Sequence, residues 1–402
     1  MSRPATDPAK PPFAGRTQWN LAPNRLSQAL EFHRRSGREL LDLIESNPTR
    51  CGFHYDSNAI LKAFLDPANL SYQPDPRGLL SAREAVAAYY AEHGAVVDPQ
   101  NIILTTSTSE GYNFLFRLLC EPGAELLAPQ PSYPLLGYLA GLNDIAQHPY
   151  QLIYDHGWHL DFETLRRAAT SLAAAVIVIH PNNPTGSFVR ANELPQLNTF
   201  CGERGLAIIA DEVFLDYAHN AEQERPSFTA NHEVLTFTLS GLSKLSALPQ
   251  MKLAWLVVSG PNRQREEALS RLEVIADTFL SVSAPAQHAL PALLGQRHAI
   301  GSQVRERIAA NLRELDQQLA RQQLCRRLHS DGGWYAVLRV PVTRSDDDLA
   351  LLLLEQQNVF VHPGHFYEFP RDGFLVLSLI TPLDRCQTGL ERLLHVIASA
   401  GL

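Results

Sequence analysis

The stretch AAAVIVIHPNNPTG, residues 173–186, decides the fold class of this 402-residue chain. Its first half, Ala173–Ile179, is a short and continuous apolar run, which is typical of a strand buried on both faces of a sheet. Its second half holds two prolines and a glycine, which fix a turn, and two asparagines whose amides can donate hydrogen bonds. The stretch therefore predicts an interior strand that ends in a rigid polar loop.

Similar apolar runs recur along the chain, at residues 206–210, 235–239 and 253–258. They alternate with helical patterns such as residues 81–93 and 162–172. Alternation of strands and helices favours a mostly parallel sheet that is covered by helices on both faces. We therefore expect an α/β fold whose large domain contains a mostly parallel sheet of the seven-stranded type. Such sheets bind their ligands at the carboxyl ends of the strands.

The C-terminal part of the chain has a different pattern. Residues 261–324 predict a long helical stretch, and after Gly332-Gly333 a strand, a helix, short strands and a final helix follow. This order predicts a second, smaller α+β domain. The expected division is a disordered N-terminal tail (1–16), a large domain (46–289) and a small domain formed by two segments (17–45 and 290–402).

Composition excludes several classes of protein. Forty-two acidic residues against 34 basic ones give a net charge of −8, which argues against a nucleic-acid partner. No apolar run is long enough to cross a bilayer, and the N-terminus lacks the apolar stretch of a signal peptide. The five cysteines include no CxxC pair, and the histidines form no metal-ligand pattern. We expect a cytoplasmic protein with free thiols, no metal and no membrane partner.

Polar residues follow several predicted strands at the point where each strand ends. The stretch 105–111 (TTSTSEG) opens a helix and is either an anion site or a helix cap with surplus hydroxyls. Asp211 ends the run 206–210 and is either a site carboxylate or a cap of the next segment. Lys244 ends the segment SGLSK and is either a Schiff-base lysine or a solvated surface lysine.

The order of these features resembles that of fold-type I enzymes that depend on pyridoxal phosphate (PLP), specifically the class I/II aminotransferases. The segments HPNNPTG and SGLSK carry the resemblance, which covers roughly residues 41–398. It implies that Lys244 holds PLP as a Schiff base and, once freed by substrate, moves the α-proton as acid and base.

The resemblance also implies roles for the other residues around the cofactor. Asp211 would pair with the pyridinium nitrogen, which keeps the ring able to accept electrons. Asn183 would bind the ring's 3-hydroxyl group, and Tyr133 would stack on the ring. The phosphate would be held by four hydroxyl side chains, those of Ser107, Thr108, Ser109 and Ser243. Tyr72 would reach the phosphate of a neighbouring subunit, which implies a homodimer with shared active sites.

Three positions depart from the family pattern. Phe214 stands where the family has a tyrosine that donates to the ring oxygen, so that hydrogen bond is lost. Lys252 replaces an arginine, which keeps the charge but not the bidentate fork on the phosphate. Val376 replaces the arginine that grips the substrate's α-carboxylate.

The loss of this arginine leaves the anchoring of the substrate open. Another residue binds the carboxylate, or the substrate presents its carboxylate differently, or the substrate has none. The family places substrate contacts in two regions that here contain Asn47, His365 and Tyr367.

The resemblance implies an aminotransferase that moves an amino group between an amino acid or amine and a 2-oxo acid. A PLP-dependent lyase or decarboxylase on the same scaffold is the alternative, because cofactor and lysine serve either reaction. A regulatory binding module is disfavoured, because such modules are usually fused to a DNA-binding domain and the chain has no basic helix-turn-helix segment.

Overall fold

The computed structural model describes residues 12–220 and 225–400. Of the predicted disordered tail, residues 1–16, the first eleven lie outside the described residues, and residues 12–16 are exposed. Among the described helices none is long and apolar enough to cross a membrane.

The structure combines one large sheet, two small sheets and helices. The strands are β1 (Leu41–Asp42), β2 (Ile102–Thr105), β3 (Glu125–Gln130), β4 (Ala146–Tyr154), β5 (Trp158–Leu160), β6 (Ala173–Ile179), β7 (Ala207–Asp211), β8 (Thr236–Gly241), β9 (Ala254–Ser259), β10 (Arg326–Arg327), β11 (Tyr335–Arg339), β12 (Val359–Phe360), β13 (His362–Pro363) and β14 (Phe374–Ser378). The α-helices are α1 (Arg25–Arg35), α2 (Ser57–Lys62), α3 (Leu80–Glu92), α4 (Thr108–Leu119), α5 (Leu135–Leu142), α6 (Phe162–Ala168), α7 (Leu194–Arg204), α8 (Leu242–Leu245), α9 (Asn262–Phe279), α10 (Ala284–Gly295), α11 (Arg297–Leu319), α12 (Asp346–Gln357) and α13 (Leu383–Ala400).

The large sheet has the strand order β2-β9-β8-β7-β6-β3-β4-β5. Five consecutive strands of this sheet run parallel to one another, namely β8, β7, β6, β3 and β4. Strand β9 is antiparallel to both of its neighbours, β2 and β8. The short strand β5 adds an antiparallel eighth strand at the edge. The prediction of a mostly parallel α/β sheet is therefore confirmed.

Strand β6 shows why its sequence is apolar throughout. Ile177 packs in the core cluster that also contains α4 and α9 residues, on one face of the sheet. Val176 and Val178 pack in a second cluster with α7 residues, on the other face. Because successive side chains of a strand point to opposite faces, a strand covered on both faces needs apolar residues at every position.

The C-terminal part contains a four-stranded antiparallel sheet in the order β10-β11-β14-β13. The expectation of one long helical stretch over residues 261–324 is only partly right, because three helices, α9, α10 and α11, occupy it. Leu280 ends α9 with a positive φ of 68°, and Pro285 lies in the first turn of α10. A proline suits the first turn of a helix, although α10 also contains Pro291 in its interior.

The division into domains remains a prediction. Its expected boundary between residues 289 and 290 falls inside α10.

Candidate active site

The carboxyl ends of three adjacent parallel strands bring the predicted polar residues together. In the register of the sheet, Ile179 of β6 pairs with Asp211 of β7, which in turn pairs with Leu239 of β8. The loop after β6 carries Asn183, and the short helix α8 directly after β8 carries Lys244, into one cavity with Asp211. The cavity has a volume of about 270 Å³. Side chains far apart in sequence thus meet because their strands are parallel neighbours.

Eight of the predicted site residues line this cavity, and they come from several segments that are far apart in sequence. They are Thr108, Ser109, Tyr133, Asn183, Asp211, Phe214, Ser243 and Lys244. Six others, Tyr72, Ser107, Lys252, Asn47, His365 and Tyr367, are not among the lining residues.

Lys244 carries the only amine among the described residues that line the cavity. Its Nζ lies 5.1 Å from the ring centroid of Trp334 and 5.7 Å from that of Phe214. Burial lowers the pKa of Lys244, and the negative charge of Asp211 opposes that shift. A lowered pKa increases the fraction of neutral amine, which is the nucleophilic form.

Asp211 is held by two hydrogen bonds at the end of β7. The Val213 N–H donates to Oδ1 at 3.1 Å, and the Tyr112 hydroxyl donates to Oδ2 at 3.1 Å. Burial raises the pKa of Asp211 to about 6, while these hydrogen bonds and the charge of Lys244 act in the opposite direction. The carboxylate is therefore oriented, and it remains mostly ionised at neutral pH.

The start of α4 supplies hydroxyl and N–H groups to the cavity. Thr108 and Ser109 line it, and the free N–H groups of a helix N-terminus favour an anion. Ser107 instead acts as the helix cap, since its side chain accepts a 3.2 Å hydrogen bond from the Glu110 N–H. The helix-cap interpretation therefore holds for Ser107, and the anion site at Thr108 and Ser109 stays a prediction.

Aromatic rings also line the cavity. Phe214 is buried in edge-to-face contact with Trp334, with 5.3 Å between ring centroids. Tyr133 is half-exposed, and it lines both the cavity and a neighbouring open pocket. That pocket also contains His365 and Tyr367.

The remaining predicted residues lie at other positions. Lys252 is exposed and has a left-handed backbone conformation, two residues before the lining residue Ala254. Asn47 caps the short 3₁₀ helix Pro48–Arg50 by accepting from the Thr49 N–H at 3.1 Å. Tyr72 is 80% exposed.

His365 and Tyr367, in the short 3₁₀ helix that follows β13, differ in exposure. His365 lies at the surface and is 3.4 Å from Asp347. The buried hydroxyl of Tyr367 is 3.3 Å from Nδ1 of His362. Val376, at the family's arginine position, is fully buried in β14.

A sequence model of the family described as aminotransferase class I and II matches residues 39–393. The chain belongs to this family. Class I and II aminotransferases depend on PLP, and the chain is accordingly a PLP-dependent aminotransferase.

Relatives with known names and structures agree with the family assignment. The glutamate-pyruvate aminotransferase AlaA of Haemophilus influenzae is 26% identical over 372 residues, covering 89% of this chain and 91% of that protein. The solved alanine aminotransferase of Pyrococcus furiosus has a TM-score of 0.83 at 21% identity, covering 92% of this chain and 95% of that one. An aminotransferase structure from Escherichia coli has a TM-score of 0.82 at 24% identity, covering 93% and 95%.

Three polar residues that line the cavity of this aminotransferase were not predicted from the sequence. They are Ser46, Tyr112 and Tyr335. Tyr112 had a usable signal, because it lies four residues after Thr108 and therefore on the same helix face. Ser46 is next to Asn47, but Asn47 is the residue that the adjoining cap uses. Tyr335 lies inside a predicted strand of the smaller sheet, and nothing in its local sequence marks it.

The polar residues of the cavity fit PLP. Asn183 is 9% exposed, and its Oδ1 has no hydrogen-bond partner among the described residues. A buried unpaired acceptor is costly, so a bound group is expected to satisfy it. Among the described residues no cluster of His, Cys, Asp and Glu could hold a metal ion, and the five cysteines are free.

Proposed function

We propose that this aminotransferase moves an amino group between an amino acid or amine and a 2-oxo acid, with Lys244 as its catalytic residue. The observation that carries the proposal is the buried position of the Lys244 amine, with a lowered pKa, in the same cavity as Asp211 and Asn183. An amine in this environment can act as a nucleophile and, after release, as a base.

The lining residues divide the work of holding PLP. Asp211 would bind the pyridine nitrogen and Asn183 the 3-hydroxyl group. The hydroxyls of Thr108, Ser109 and Ser243 would bind the phosphate at the start of α4, and Tyr133 would cover one ring face. When bound, PLP supplies an electron sink for the negative charge that forms on the substrate carbon.

The protein's own groups then control the proton. Lys244 Nζ would take a proton from the substrate's amine-bearing carbon and hold it within the cavity. Asp211, ionised at neutral pH, would stabilise a proton on the ring nitrogen through charge pairing at short range. Tyr112 orients that carboxylate. Phe214 contributes no hydroxyl, so Asn183 is the principal polar partner of the ring oxygen.

Five predicted site residues do not line the cavity, so their roles are proposed from their positions near it. They are Ser107, Lys252, Asn47, His365 and Tyr367. We propose that Lys252 contributes positive charge near the phosphate and that Ser107 acts indirectly by ordering the start of α4. His365 and Tyr367 would lie along the approach of the substrate, because their pocket shares Tyr133 with the cavity. Asn47 would act there too, because it follows the lining residue Ser46.

We also propose a cytoplasmic homodimer in which Tyr72 reaches the partner's phosphate. The support is an exposed apolar segment around this residue, in which Leu65 is 78%, Leu70 is 93% and Tyr72 is 80% exposed. Exposed apolar patches of this kind mark association surfaces. Sedimentation should give a dimer mass, and Tyr72→Phe should weaken PLP binding without dissociating the dimer.

The reaction can be tested with purified, PLP-loaded protein. Pools of amino donors are added without an acceptor, and conversion to the pyridoxamine form is followed by absorbance and by mass spectrometry of the released cofactor. At least one donor should convert the cofactor, and Lys244→Ala should abolish catalytic conversion. Release of ammonia or carbon dioxide without pyridoxamine formation would contradict transamination.

A further inference from the structure

Three neutral polar residues, Ser46, Asn183 and Tyr335, form one wall of the cavity. Burial raises the pKa of Tyr335, and the neighbouring side chains of Ser46 and Asn183 act in the opposite direction. Both Tyr335 and Asn183 are buried, at 7% and 9% exposure. Oδ1 of Asn183 lacks a partner among the described residues, and its two lone pairs let it accept from the 3-hydroxyl of PLP and from one further donor.

The wall lies beside the position of the missing arginine. In the antiparallel pairing of β11 with β14, Tyr335 is opposite Ser378 and Val337 is opposite Val376. Directly opposite residues share a face of the sheet, as do residues two apart, so Tyr335 and Val376 are on the same face.

The segment that carries Ser46 is fastened to the same strand. The Ser378 hydroxyl donates a 2.7 Å hydrogen bond to the carbonyl oxygen of Glu45, and the Ser378 N–H donates at 2.7 Å to that of Leu43. Ser46 therefore follows directly from a residue that is bound to β14, which explains how it meets Tyr335.

The charges that this chain itself supplies to the cavity do not suit a free carboxylate at this wall. Among the described lining residues Lys244 is the only cation and Asp211 the only anion. Lys244 has to react with the amino donor, so it is not free to anchor a carboxylate. A carboxylate removed from water without a cationic partner loses more hydration energy than neutral hydrogen bonds return.

An uncharged group that both donates and accepts hydrogen bonds suits the wall better. An alcohol or a primary amide can donate to Oδ1 of Asn183 and accept from the hydroxyl of Ser46 or Tyr335. A carboxylate has no proton to donate, so it cannot pair with the remaining lone pair of Oδ1.

We propose, on the basis of the aminotransferase function above, that the specific amino donor carries an uncharged hydrogen-bonding group, an alcohol or a carboxamide, on its amine-bearing carbon. Ser46, Asn183 and Tyr335 bind this group in place of the carboxylate–arginine contact. Tyr335 is thereby the residue that determines the preference for the head group.

The first test compares donors that differ only in the head group, namely phenylalanine, phenylalaninol and phenylalaninamide, with the corresponding alanine series as a second side chain. Conversion of the PLP-loaded protein to its pyridoxamine form is measured for each donor. The alcohol or the amide should convert at least about tenfold faster than the free acid. This ratio of rates corresponds to a free-energy difference of about 1.4 kcal/mol. If no donor converts, the proposed function fails. If the free acids convert as fast or faster, only the head-group inference fails.

A binding measurement separates recognition from turnover. Calorimetry gives the dissociation constants of two unreactive analogues, 3-phenylpropan-1-ol and 3-phenylpropionate, for the PLP-loaded protein. Tyr335→Phe should weaken binding of the alcohol by roughly tenfold and leave the acid almost unchanged. The matched control is Tyr150→Phe, which also removes a buried tyrosine hydroxyl, one that donates to Ile177 O, outside the cavity.

The reciprocal variant is Val376→Arg, which restores the family's cation. In this variant, the conversion rates and the dissociation constants should both shift in favour of the free acids. Circular dichroism and visible absorbance of bound PLP show whether each variant is folded and loaded. The inference is overturned if Tyr335→Phe, folded and loaded, binds the alcohol as tightly as the wild type does.

Discussion

The hydroxyl of Tyr112 donates a 3.1 Å hydrogen bond to the carboxylate of Asp211. Tyr112 lies on α4, one turn after Thr108, whereas Asp211 ends β7. The contact therefore connects the helix that presents the phosphate-binding groups with the strand that presents the carboxylate. It fixes the orientation of the carboxylate and favours its ionised form.

Removal of this hydroxyl should change how PLP binding depends on pH. PLP affinity should fall as Asp211 becomes protonated, around its pKa of about 6. Tyr112→Phe removes a donor to the ionised form, so the pKa should rise by roughly half to one unit. The measurement is the dissociation constant of PLP between pH 5 and 8, with Tyr150→Phe as the matched control. An unshifted midpoint in Tyr112→Phe would mean that the hydrogen bond has no electrostatic role.

Asp211 should also make the apo-protein sensitive to pH. Its pKa is raised by burial from 3.8 to about 6 in the folded chain. The stability that comes from this group is therefore present below about pH 4 and lost as the pH rises through 6. Asp211→Asn cannot ionise, so at pH 8 it should increase the free energy of unfolding by about 3 kcal/mol.

Urea titrations of the apo-proteins at several pH values test this expectation. The advantage of Asp211→Asn should shrink as the pH is lowered from 8 to 5. The same variant should slow half-transamination by orders of magnitude, because an amide cannot stabilise a proton on the ring nitrogen. A variant that is less stable at pH 8, or one with normal turnover, would contradict the roles assigned to the carboxylate.

Adjacent hydroxyls at the start of α4 should respond differently to substitution. Ser107→Ala removes the helix cap and should cost about 1 kcal/mol of stability, with little effect on PLP affinity once the protein is folded. Ser109→Ala should leave stability nearly unchanged and weaken PLP binding several-fold. Thermal melts and PLP titrations of the two variants form a matched pair. The reverse pattern would assign the phosphate to Ser107 and the cap to its neighbour.

The large sheet was predictable from sequence because its strands are apolar at every position. The predicted strand Ala173–Ile179 coincides with β6, and β7, β8 and β9 begin within one residue of the predicted runs. The meeting of Asn183, Asp211 and Lys244 was predictable because parallel strands end at the same edge of a sheet.

Other parts of the site depend on contacts between distant segments. The wall at Ser46 and Tyr335 arises where β11 and β14 pack against the segment that follows β1. No local pattern encodes that meeting. The break at Leu280 was also hidden, because a leucine with positive φ has no distinctive sequence signature, although Pro285 marks the following helix start.

The most direct test of the account is to identify the lysine that holds PLP. The chain has four lysines, Lys10, Lys62, Lys244 and Lys252. PLP-loaded protein is reduced with borohydride, digested, and its peptides are mapped by mass spectrometry. We expect a single pyridoxyl label, on Lys244, and no label in Lys244→Ala. A label on Lys252, Lys62 or Lys10, or no label in protein that binds PLP, would contradict it.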